Sequence, residues 1–267
     1  MLRRCIAHHL GLGCAAIFVS LNRDDEESVA VVHEFSRSTP VQAAPVPEFA
    51  RSEFNFLTDA VREADRRFRP ERILVIDSDE FCVAGSGALD QAPDLLKIPR
   101  YNAALTSTDK ANARHAEVTL ATLVIPPFDQ KENQQLARLR PHLRWLTGRI
   151  GPKILVRPAA VRSVWRGGHG IDSGGDNLTQ AAATDLAIVH FPFTTMERFK
   201  DKLAGIRARI GSFGAGEAGH WRTWLRADDE GRLEEVFDAQ FFRPNEIVEW
   251  QRAGLIQPLG AMLRSRA

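Results

Sequence analysis

Two carboxylates one residue apart, Asp77 and Asp79, follow directly on a run of four aliphatic residues, Ile73 to Ile76. At that spacing two hard oxygen donors can hold one Mg2+ or Mn2+, with water and phosphate oxygens in the remaining positions. A solvated acidic turn is the plainer account of the same residues, since an isolated D-x-D is common. The aliphatic run is too short for a helix and does not alternate, so it reads as a central strand buried on both faces. In open α/β sheets ligands bind beyond the carboxyl ends of strands, which is where these acids arrive. Two histidines extend the donor set: His190 closes Leu186–Val189, and His169 sits in Arg166-Gly-Gly-His-Gly. A lone histidine at a strand end is more often a hydrogen-bonded structural residue. Beside a dicarboxylate, imidazole becomes a candidate third ligand for Mn2+.

The elements that must position these groups are those of an α/β chain. At 267 residues, with 26% charged and 44% hydrophobic residues, the composition is that of one large globular domain or two small ones. A net charge of +1 gives no electrostatic argument for nucleic acid or an anionic membrane as partner. Cys5, Cys14 and Cys82 form no C-x-x-C and cannot all pair, which fits a reducing, cytoplasmic setting. No apolar run approaches the roughly 20 residues that span a bilayer. Peripheral membrane association stays open. Met1-Leu-Arg-Arg before an apolar stretch resembles a secretory signal, but His8 and His9 interrupt it and no small-x-small cleavage site follows.

Along the chain, residues 2–12 read as a helix and Ala15 to Leu21 as a buried strand ending in Asn22-Arg-Asp24. Those polar residues are either a helix cap or a nucleoside-binding loop. Val29 to Phe35 reads as a short strand, and Ser36 to Pro47 as a surface loop with three prolines. From Phe49 to Phe68 the pattern is helical, with Phe54, Leu57, Val61 and Ala64 on one face. Further strands are expected around Val118–Ile125, Lys153–Val156, Val161–Trp165 and Leu186–Val189, and 126–141 reads as a polar flap. Helices follow from Thr195 to the end. Strand–helix alternation predicts a mainly parallel sheet with crossover helices, over residues 1–210, and a helical extension over 211–267.

Four blocks in order resemble the family-2-like glycosyltransferases of the nucleotide-diphospho-sugar (GT-A, Rossmann-like) fold, in the subgroup with a D-x-D-E-F strand end. They are Ile6-Ala-His-His-Leu-Gly-Leu-Gly13 with Ile17–Asn22; Ile76-Asp-Ser-Asp-Glu-Phe-Cys-Val83; Lys153-Ile-Leu-Val-Arg-Pro158 with His169; and Ile188–Lys202. The resemblance implies that Asp79, helped by Asp77, holds Mn2+ or Mg2+ on the diphosphate of a nucleotide sugar, with His190 or His169 completing the site. It makes Asn22 and Asp24 nucleoside contacts and Lys202 a candidate diphosphate contact, although a solvated helix face explains Lys202 better. The acceptor would be a hydroxyl on a glycan, polysaccharide or lipid-linked sugar. No general base is singled out; Glu80, Asp172 and Asp176 are available.

Two other readings compete. A haloacid-dehalogenase-type phosphatase also carries a strand-D-x-D, but there the motif normally opens the domain, and here about seventy residues precede it. A non-catalytic nucleotide-sugar-binding relative would keep the fold and lack the chemistry. The resembled family also opens with a strand that lies between those ending at Asn22 and Asp77, and Met1 falls at or inside the helix that follows it. The expectation is therefore that the natural start lies upstream and that this chain binds donor weakly or not at all.

Overall fold

A computed structural model describes residues 1–21, 26–46, 53–85, 93–108, 110, 117–126, 145–148, 150–174, 177–208, 210–212 and 219–264. In chain order the elements begin with α1 (Leu2–Gly11), β1 (Ile17–Leu21), α2 (Glu26–Ser36), β2 (Val41–Pro45) and α3 (Glu53–Phe68). Next come β3 (Ile73–Val75), β4 (Glu80–Ala84), β5 (Leu95–Ile98), β6 (Arg100–Ala103) and β7 (Leu123–Ile125). Then follow β8 (Lys153–Val156), β9 (Ser163–Val164), β10 (Ile171–Asp172), β11 (Gln180–Ala182) and β12 (Leu186–His190). The last are α4 (Met196–Arg207), α5 (Gly219–Asp229), α6 (Leu233–Asp238), α7 (Pro244–Arg252), β13 (Gln257–Pro258) and α8 (Leu259–Arg264). The chain is mixed α/β and forms two compact units. One comprises Met1–Arg100, Gly151–Ile188 and Leu263–Ala267; the other comprises Tyr101–Ile150 and Val189–Met262. Both are discontinuous in sequence, and a boundary at residue 210 falls inside the second.

The first unit is layered around a four-stranded sheet of order β11-β5-β8-β3. Its alternation is clean. Val75, Leu95, Ile154 and Val156 pack with Val61 and Leu57 of α3 on one face. Leu74, Leu96, Ile98 and Leu155 pack with Cys82, Leu186 and Ile188 on the other. Successive side chains of a strand point to opposite faces, so covering both faces requires apolar residues at every position. That accounts for the unbroken aliphatic runs. A separate parallel pair, β1 and β2, is joined through α2, and Ile6, Leu21, Val31, Val32 and Val41 form its core.

Three expectations are corrected here. Residues 29–35 are helical, part of α2: Glu26 and Glu27 occupy its first turn, and Val31 and Val32 bury against β1 and β2. The pairing is not mainly parallel: β3–β8, β5–β8, β6–β7, β7–β13 and β9–β10 are antiparallel, while β1–β2 and β5–β11 are parallel. And β3 is not central; it is the edge of its sheet, with β8 as its one hydrogen-bonded neighbour among the described strands. The β1–β2 pair is a separate sheet from the one that β3 ends. Most of the expected flap, 126–141, and residues 49–52 of the expected α3 lie outside the described residues.

In the second unit β6 pairs antiparallel with β7, and β7 with β13. Only Leu123–Ile125 of the expected 118–125 strand is extended. The core is aromatic: Phe193, Phe199, Trp224, Phe237, Phe241, Phe242 and Trp250 are all buried, and most of these rings meet edge to face. No described helix is long and apolar enough to cross a membrane.

Candidate functional site

The chain leaves β3 at Val75 and re-enters extended structure at Glu80, making a tight turn over Asp77-Ser-Asp79. Two bonds close it: Glu80 N–H donates to Asp77 O at 3.1 Å, and Asp77 N–H donates to Glu80 Oε2 at 2.9 Å. The turn sorts its three acids. Asp77 is exposed, with 57% of its side chain accessible, while Asp79 and Glu80 are buried. Glu80 is wholly enclosed: its Oε1 pairs with Arg100 and its Oε2 lies 3.1 Å from Lys153 Nζ. Burial pushes its carboxyl up and the Asp77 charge adds to that, while Lys153 and Arg100 pull it down. With two cations and a backbone N–H on its oxygens, this geometry serves the ionised form.

Lys153, the first residue of β8, is the residue that sequence reasoning missed. Its ammonium donates to Asp77 Oδ2 and to Gly167 O, both at 2.8 Å. Burial favours the neutral amine, but the Glu80 and Asp77 carboxylates outweigh it and hold the pKa above the ordinary lysine value. A lysine heading a buried aliphatic strand was the available signal, because such a charge demands a partner.

The Arg166–Gly170 turn sits on the end of β3 through its glycines. A Cβ at Gly168 would lie 2.8 Å from Val75 Cγ1, and one at Gly167 would lie 2.6 Å from His169 Nε2. Both also have positive φ, 72° at Gly167 and 66° at Gly168, which L side chains rarely adopt. His169 Nδ1–H donates to Pro152 O at 2.7 Å, which leaves the lone pair on Nε2. Burial, more than the nearby Arg100 and Lys153 charges, lowers its pKa, so the ring is neutral at neutral pH. A neutral imidazole whose other nitrogen is fixed by a carbonyl is the form that binds metals or accepts protons.

Behind the turn, α1 lies along β4, the last strand in its hydrogen-bonded order. Its side chains stand in for a neighbouring strand. His9 Nε2 accepts from Cys82 N–H at 3.1 Å, His8 Nε2–H donates to Cys82 O at 2.6 Å, and Cys5 Sγ donates to Glu80 O at 3.6 Å. Burial, then the Asp79, Glu80 and Asp77 charges, push the Cys5 thiol up to about 12, which rules it out as a nucleophile at neutral pH.

Asp77, Asp79, Glu80 and His169 all belong to the first unit. His190 lies in the second unit, buried, its Nδ1–H donating to Asn102 Oδ1 at 2.9 Å, while Asn102 donates to Leu146 O. Lys202, on α4, is exposed with its ammonium 5.7 Å from the Trp221 ring centroid. Asp172 is exposed on β10 and accepts from Gly174 N–H at 3.0 Å. Asn22, Asp24 and Asp176 lie outside the described residues. Glu80 is corrected as a general-base candidate: it has no exposed surface to meet an acceptor hydroxyl. A surface recess of about 560 Å³ in the second unit is lined by Lys200, Ala204, Arg207, Ala208 and Asp228. Its Arg207 is already paired with Asp228 and Asp229, so it adds no ligand chemistry.

The donors at the acidic turn are carboxylate oxygens and one imidazole nitrogen, the chemistry suited to Mn2+ or Mg2+. Asp77 Oδ1 takes no hydrogen bond among the described residues. No three His, Cys, Asp or Glu side chains among them converge on one point, so water and ligand oxygens would have to supply much of the coordination. The chain matches no family model, no curated protein and no solved structure.

Proposed function

We propose that the protein is a glycosyltransferase that takes a sugar from a nucleotide-diphosphate donor to a hydroxyl acceptor, with the acidic turn after β3 as its donor site. One observation supports this above the others: an exposed Asp77 carboxylate at the carboxyl end of a strand, with one oxygen left over, on the same unit as a neutral His169. The order of the four sequence blocks adds to it. Asp77 and Asp79 would hold Mn2+ or Mg2+, with His169 as the nitrogen donor. When bound, the metal supplies positive charge to the departing nucleoside diphosphate. The chain's own part is positional. Glu80 fixes the turn through Arg100 and the Asp77 N–H, and Lys153 fixes the Asp77 carboxylate against Gly167.

A second reading, a nucleotide-sugar-binding relative without transfer activity, draws on the ion pairs that already neutralise Asp77 and Glu80. Turnover separates the two. With Mn2+ and no acceptor, the transferase slowly hydrolyses UDP- or GDP-sugars, the binding relative does not, and a phosphatase instead attacks simple phosphate monoesters. In the transferase, Asp79→Asn removes the Mn2+-dependent rise in melting temperature given by a nucleoside diphosphate and leaves the unliganded melting temperature in place. Retention of that Mn2+-dependent rise in the variant would sink the metal assignment.

A further inference from the structure

This inference rests on the transferase reading, because it concerns how the acidic turn takes up its cation. The Lys153 ammonium donates to Asp77 Oδ2 and Gly167 O at 2.8 Å, and Glu80 Oε2 lies 3.1 Å from it as an ion pair. Only 1% of the lysine side chain is accessible, so water cannot replace any of the three. The end of β3 therefore already holds a monovalent cation, supplied by β8. Its two carboxylate partners differ. Glu80 is enclosed and shared with Arg100, so it stays where it is. Asp77 is exposed, and turning its carboxylate outward breaks one ion pair.

We propose that Lys153 and a divalent cation compete for Asp77, so that Lys153 sets how tightly the turn binds metal. A metal on Asp77 faces a buried ammonium across the same carboxylate, and like charges at that range repel with little screening. Metal alone is thus held weakly. A nucleoside diphosphate contributes the negative charge that Lys153 cancels, so metal and nucleotide bind as a unit. Lys153 touches neither; it is a positioning residue whose charge makes the metal depend on the nucleotide.

The test is Mn2+ titration of the whole chain without nucleotide, following free Mn2+ by electron paramagnetic resonance. Lys153→Met keeps the length of the side chain and removes its charge. It is expected to bind Mn2+ at least tenfold more tightly than the parent, and adding a nucleoside diphosphate should then improve Mn2+ affinity by a smaller factor than in the parent. In an Asp77→Asn background the gain from Lys153→Met should vanish, as a cycle through one shared carboxylate requires. If Lys153→Met does not fold, Glu80→Gln/Lys153→Met, which removes a buried carboxylate with the ammonium, is compared with Glu80→Gln. Equal Mn2+ affinity with and without Lys153 overturns the proposal, as does a gain that survives Asp77→Asn. Absence of Mn2+ binding in every variant also overturns it. In that case metal-free hydrolysis of UDP- or GDP-sugars would leave the transferase reading standing, and no hydrolysis would remove that reading too.

Discussion

The Glu80–Lys153 ion pair behind the acidic turn of the first unit and the aromatic core of the second are both buried, and they are built on opposite physics. Seven buried aromatic rings, Phe237 among them, pack with aliphatic neighbours, and the attraction is additive in the apolar area buried. Around Glu80, burial is made tolerable by directed contacts: two cations and a backbone N–H share its two oxygens. A core of the first kind degrades in proportion to what is removed. A network of the second kind fails when one member is removed, because the partners remain buried and charged, and it recovers when the partner is removed as well.

That contrast can be broken experimentally. Phe237→Ala should have the largest effect, on the order of 3–5 kcal/mol, with no single second substitution restoring it. Amide exchange should accelerate in α4, α5 and α6, the helices that carry its neighbour Phe199, the Trp224 that packs on Phe199, and Phe237 itself. Glu80→Gln should cost roughly 3 kcal/mol, because Lys153 and Arg100 keep their charges inside the protein, and exchange should accelerate in β3, β4 and β8. The discriminating result is the double variant. Lys153→Met added to Glu80→Gln should recover about half of that loss or more, whereas strictly additive losses would place the acidic turn in the same class as the aromatic core.

The same contrast explains what could be read in the sequence. The α3 periodicity at Leu57, Val61 and Ala64, the alternating faces of β8 and the aromatic helices near the end are local or periodic signals. They survive folding because burial depends on residue type. Where partners come from afar, the reading failed. Glu80, beside Asp79, looked like one more acid of an exposed strand end, but Arg100 and Lys153, 20 and 73 positions away, draw it inside. The Val29–Phe35 segment looked extended because its valines favour strands, and a pair of acids at the helix start together with burial against β1 and β2 overrode that preference. The position of β3 was misjudged for a related reason: an aliphatic run reports that both faces are covered and says nothing about how many strands flank it. Of the candidate site, Asp77, Asp79 and His169 were legible as donors by type. Lys153, whose ammonium holds the Asp77 carboxylate, was read as part of a strand and of a resembled block and not as a buried charge in need of partners.

The smallest effect is a pH dependence at the β4 edge of the first unit. His9 holds the β4 edge with a lone pair: Nδ1–H donates to Cys5 O at 2.7 Å while Nε2 accepts from Cys82 N–H. Burial lowers its pKa from the ordinary 6.5 to about 4, against the pull of the Cys5 carbonyl and with a small further push from His8. In the unfolded chain the ring takes a proton below about 6.5, and in the fold it resists until about 4. Between those values the unfolded state binds more protons, so stability rises with pH. The contribution is fully present above 6.5 and is lost as pH falls toward 4. Linkage over that window removes about 2 kcal/mol between pH 7 and pH 5. His9→Gln offers a carbonyl oxygen to the Cys82 N–H and does not titrate in this range. Urea unfolding of parent and variant at pH 7, 6 and 5 should therefore converge, the parent losing about 2 kcal/mol that the variant does not. Parallel pH profiles would mean that His9 is not the acceptor for Cys82, and that the edge of β4 is held by some other group of α1.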